Sequence, residues 1–71
     1  MHIAFDKDRY HEQRIMEQWC EKQFGQGKWI GERYPKEWNG LPNWTIHCMF
    51  GQTTFAFKNQ RDYTRFLLRW A

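Results

Sequence analysis

A chain of 71 residues with a net charge of +3 has room for one small domain, and 20% aromatic residues supply the bulk its core needs. The lack of serine removes the commonest catalytic hydroxyl, two widely spaced cysteines make no disulfide framework, and no apolar run reaches the ~18 residues of a membrane span. Met1-His-Ile-Ala-Phe-Asp6 has neither a basic stretch nor a long apolar one, so no secretory signal is expected and the expected compartment is the cytoplasm.

His2 to Phe5 read as a short strand, with Ile3 and Phe5 on one face. Asp6 is the expected N-cap of the first helix, because Phe5 and Tyr10 then flank it as a hydrophobic staple. The helix should run to Phe24 and stop at Gly25, where a left-handed conformation costs glycine nothing. Ile15, Met16, Trp19 and Cys20 make its apolar arc, which Glu12 and Gln23 interrupt.

Residues 25–43 hold four of the five glycines and both prolines. Loops of this length are uncommon inside compact domains. Trp29, Ile30, Tyr34, Trp38 and Leu41 are residues that disordered segments lack, so order is expected. Either the loop folds back and plugs the end of the core, or it displays Tyr34 and Trp38 as binding anchors. One tryptophan plugging while another protrudes satisfies both.

Trp44 to Phe50 alternate, with Trp44, Ile46, Cys48 and Phe50 on one side and Thr45, His47 and Met49 on the other. Gly51-Gln52 reads as a two-residue type II′ turn, which pairs Phe50 with Thr53, Cys48 with Phe55 and Ile46 with Phe57. The large apolar residues of both strands then share one face. Asn59 is the expected N-cap of a final helix, with Asp62 as the capping-box acid. Tyr63, Phe66, Leu67 and Trp70 recur at i, i+3, i+4 and i+7, one apolar stripe.

The expected fold is therefore α+β, a single domain over 1–71 in the order β-α-(long loop)-β-β-α. Its three-stranded sheet carries both helices on one face. The other face, with Thr45, His47, Met49, Thr54, Ala56 and Lys58, is left to solvent or a partner.

No pair of histidines and cysteines has metal-ligand spacing, and His47 and Cys48 point to opposite faces of a strand. Neither a metal nor a cofactor is expected. Both thiols fall where the core is expected, which makes them poor nucleophiles, and no phosphate-cradling glycine motif is present. The chain therefore reads as a binding protein with no catalytic residues.

Charge gives the strongest signal outside the core. Residues 1–43 balance seven basic against seven acidic side chains, while residues 44–71 set Lys58, Arg61, Arg65 and Arg69 against Asp62 alone. The arginines recur at i, i+4 and i+8, an expected exposed ridge opposite the apolar stripe. Arginine suits forked contacts with carboxylates or phosphates. An amphipathic helix also needs a polar face, and arginine late in a helix complements the macrodipole. The expected partner is an acidic protein surface; the alternative is single-stranded nucleic acid, with which a pI of about 9.1 is compatible.

Phe55-Ala-Phe57-Lys-Asn, Asp62 and Phe66-Leu-Leu-Arg-Trp70 resemble the C-terminal third of small proteins of unassigned role encoded by tailed bacteriophages. That resemblance implies a phage-encoded chain acting in the host cytoplasm, where it binds and redirects a host protein. It implies no catalytic residues.

Overall fold

A computed structural model describes all residues 1–71. The elements are β1 (His2–Asp6), a 3-10 turn (Lys7–Arg9), α1 (Tyr10–Phe24), β2 (Lys28–Trp29), β3 (Trp44–Met49), β4 (Gln52–Phe57) and α2 (Gln60–Trp70). The class is α+β, but the sheet has four strands, in the order β1-β4-β3-β2. β4 lies between β1 and β3 and is antiparallel to both. The strand that the three-stranded expectation lacked is β2, which runs parallel to β3 through Lys28 and Trp29. It is two residues long, too short for alternation to register.

The hairpin closes one residue earlier than expected. Phe50 and Gly51 are its turn, with φ of 53° and 77°, so both central residues are left-handed as a type I′ turn requires. Cys48 therefore pairs with Thr53, Ile46 with Phe55 and Trp44 with Phe57. A shift of two in partner leaves every side chain on its expected face.

Phe50 is an unfavourable occupant of that turn. A left-handed conformation costs an L-residue with a side chain about 1–2 kcal/mol, and the ring is 94% exposed, so no packing offsets it. Phe50→Asn is expected to raise stability by about 1 kcal/mol, moving the melting temperature up by about 4–8 °C in a domain of this size. A circular-dichroism melt checks this.

The core lies between the sheet and the helices. Phe5, Ile46, Phe55 and Phe57 from the sheet meet Met16 and Cys20 of α1 and Phe66 and Trp70 of α2, with Trp44 closing one end. Phe66 is the hub, its ring 4.9 Å from that of Phe55 and 5.1 Å from that of Phe57. The two helices differ from their expected orientation. In α1, Ile15 is 56% exposed, and the buried pair is Met16 and Cys20. In α2, Asp62 is buried with Phe66 and Trp70, while Tyr63 and Leu67 are half-buried, so the helix is rolled toward Asp62.

Asp6 occupies the N-cap position of the 3-10 turn rather than that of α1, which Arg9 holds, and neither side chain makes a capping bond. The expected staple does not form. Tyr10 is exposed, with its hydroxyl 3.6 Å from Cys48 Sγ. Cys48 is also exposed, at the open end of the helix-side face, and only Cys20 is a core thiol.

Most of the outer sheet face is covered, contrary to expectation, while Met49 and Lys58 stay exposed. Thr45, His47, Thr54 and Ala56 are all buried. The segment from Ile30 to Asn43 crosses over them: the Ile30 carbonyl meets His47 Nδ1 at 3.0 Å, Pro35 is buried, and Tyr34 stacks on His2 with centroids 4.1 Å apart. This segment is the crossover that parallel neighbours β2 and β3 require. It leaves the hydroxyl of Thr45 buried without a partner.

Candidate arginine surface

The sequence of α2 sets its arginines along one flank, and the rolled helix sets that flank against α1. Arg61, Arg65 and Arg69 are all exposed. Rather than standing opposite the core, the row runs beside it. Arg65 Nη2 donates to Gln23 Oε1 of α1, and its guanidinium lies 5.5 Å from the Phe24 ring centre. Arg69 lies 4.3 Å from the ring centre of Trp70. Such cation–π contacts attract a guanidinium to the ring.

None of the three arginines is ion-paired. The one salt bridge of the molecule joins Arg9 to Glu12 at 2.7 Å, and that bond holds the Glu12 carboxyl below its usual range. Arg9 also donates to the carbonyl of Trp70 at 3.0 Å, fixing the end of α2 against the start of α1. At the other end of α2, Asn59 occupies the N-cap position without capping. Its amide instead lies 3.5 Å from Asp62 Oδ2. An open recess there is lined by Phe24, Asn43, Asn59, Arg61 and Arg65. Lys58 is exposed just past β4, its backbone amide donating to Asn43.

The other sequence-nominated anchors lie elsewhere. Tyr34 belongs to the crossover over the outer sheet face, 44% exposed and stacked on His2. Trp38 is half-buried in the same segment. The sheet thus separates Tyr34 from the arginine row, and one flat partner surface cannot meet both. Sequence reasoning missed Gln23 and Phe24, the platform under Arg65. Their signal was present as the polar interruption of the α1 stripe and the aromatic at its end.

The remaining reactive groups are constrained. Burial pushes the Cys20 thiol far above its ordinary pKa, with the nearby Glu17 and Glu21 carboxylates adding to the shift. His47, expected to be solvated, is 7% exposed beneath the crossover. No helix is long and apolar enough to cross a membrane. No family model, curated protein or solved structure matches the chain.

Proposed function

We propose that the protein is a non-catalytic binding module whose arginine row takes an acidic protein surface. In the phage setting that the C-terminal resemblance implies, that surface belongs to a host protein. One observation carries this reading: Arg65 and Arg69 pack against aromatic rings and pair with no carboxylate of their own chain. Arg65 gives one Nη2 donor to Gln23, and the remaining N–H groups of both guanidiniums are available for forked contacts. A guanidinium already held in place also loses less side-chain entropy on binding. Arg61, at the recess by the start of α2, extends the row.

Single-stranded nucleic acid fits the same charges less well. Bases need exposed aromatic faces, whereas Phe55 and Phe57 lie under the helices, and guanidinium groups already cover the rings beside the row.

Reversing Arg65 and Arg69 together to glutamate should abolish capture of the partner from host lysate. Both side chains also pack on their own chain, so the melt is recorded alongside, and a variant that unfolds cooperatively yet captures nothing assigns the loss to the row. Nuclease treatment should leave wild-type capture intact. Unaltered capture by the reversed variant would remove the row as a site. Binding of a labelled oligonucleotide, with a log–log salt slope of about 0.7 per phosphate, would replace the protein partner with nucleic acid.

A further inference from the structure

The sheet has two very different edges. β2 is two residues long, includes Lys28 and directly follows Gly27, so it offers little for another strand to pair with. β1 has five residues, with no proline and no lysine, in continuous register with β4. In an antiparallel ladder the N–H and C=O of alternate residues face the partner strand. The Phe57 amide donates to the Met1 carbonyl, so Met1, Ile3 and Phe5 direct their backbone groups to β4. His2, Ala4 and Asp6 turn theirs outward, and all three are exposed. The His2 carbonyl accepts from the Tyr63 hydroxyl at 3.2 Å, and its second lone pair is left for another donor.

We propose that this edge joins two copies of the chain, β1 pairing antiparallel with β1 of the second copy about a two-fold axis at Ala4. In that register the strand is complementary to itself. Ala4 faces Ala4, and Ile3 faces Phe5 on the helix side. His2 of one copy faces Asp6 of the other on the outer side, an imidazole opposite a carboxylate. Asp6 accepts from Gln52 through Oδ1, leaving Oδ2 for the imidazole. An isologous interface requires such reciprocity, each residue meeting the counterpart of its own partner.

The helix above the edge fits the same axis. α2 lies on the β1 side of the helix layer, tied by Tyr63 to His2 and by Phe66 to Phe5. Its arginine flank faces α1, where Arg65 meets Gln23. The flank on the Tyr63 side, over the β1 edge, carries Gln60, Thr64 and Leu67, with no charge. The two-fold axis brings that uncharged flank against its own copy. The arginine rows stay apart. The result is an eight-stranded sheet with two binding rows, a consequence independent of what those rows bind.

Light scattering of the concentrated wild-type chain should give twice 8.9 kDa. Amide exchange at Ala4 and Asp6 should slow by about tenfold or more between dilute and concentrated samples. Ala4→Pro removes an N–H that β4 does not use, on an edge strand where proline is tolerated. It should keep the circular-dichroism spectrum and restore a mass of 8.9 kDa. Thr64→Glu, on the flank over the β1 edge, should also shift the chain toward monomer, and it decides the matter should Ala4→Pro fail to fold. A wild-type chain that stays at 8.9 kDa when concentrated overturns the proposal. So does a dimer that survives both substitutions, or one whose Ala4 amide still exchanges freely, since another face or another strand would then be responsible.

Discussion

Phe55→Ala is expected to lower the unfolding free energy by about 3–5 kcal/mol, the range for removing a fully buried phenyl group. Phe55 is 0% exposed at the middle of β4, and its ring is packed among those of Phe66, Trp44 and Phe5. The cavity would open at the junction of both sheet neighbours and α2. Domains are held by only about 5–15 kcal/mol in total, and short chains lie at the low end. Urea titration at 25 °C should therefore find the variant largely unfolded or with a midpoint near zero denaturant. Phe55→Leu, which keeps most of the volume, should retain a cooperative transition. A loss below about 1.5 kcal/mol for the alanine variant would mean that the layers are not packed as described.

Gly27→Ala should be nearly as damaging, for the opposite reason. A methyl group at this position would overlap the six-membered ring of Trp44, and the indole has nowhere to go. Trp44 is 1% exposed, and its Nε1 donates to the Gly25 carbonyl at 2.7 Å. Alanine for glycine ordinarily stabilises by about 0.4–1 kcal/mol through the unfolded chain. Overpacking of a fixed core costs about 1–3 kcal/mol and sometimes more, so the net sign is destabilising. The structure can relieve the overlap by detaching β2 from Thr45 and Ile46 of β3. Tryptophan fluorescence and the thermal melt report both outcomes. Gly31→Ala is the control: nothing lies within 4 Å of its added methyl, and its effect should stay within about 0.5 kcal/mol.

The faces of this fold were legible in the sequence, whereas its offsets were not. Alternation assigned Trp44, Ile46, Phe55 and Phe57 to one side of the sheet, and all four are buried there. The same alternation repeats every two residues, so it cannot distinguish pairing Ile46 with Phe57 from pairing it with Phe55. The turn decides between them, and phenylalanine in a left-handed turn position is not a signal that sequence statistics supply. Periodicity likewise found the apolar stripe of α2 but not the roll that buries Asp62 and leaves Tyr63 and Leu67 half-buried. The arginines were legible as a row. The rings beneath them were not, because Phe24 comes from a different helix. Residues 25–43 were legible as ordered from their aromatics, but their role as cover for the outer face depends on β2, whose two residues carry no pattern.

The position of β4 at the middle of the sheet has a consequence for how the protein is born. A ribosome releases the N-terminal half first, yet the partner of His2 is Ala56 and that of Phe5 is Thr53. Until those residues emerge, α1 and β1 have no surface to fold against, and Met16, Trp19 and Cys20 stay in water. The local unit of hairpin and α2 is translated last and is the one best able to form quickly, since its contacts are short in sequence. Folding should therefore begin at the newest part of the nascent chain and draw the oldest part in, the reverse of vectorial order.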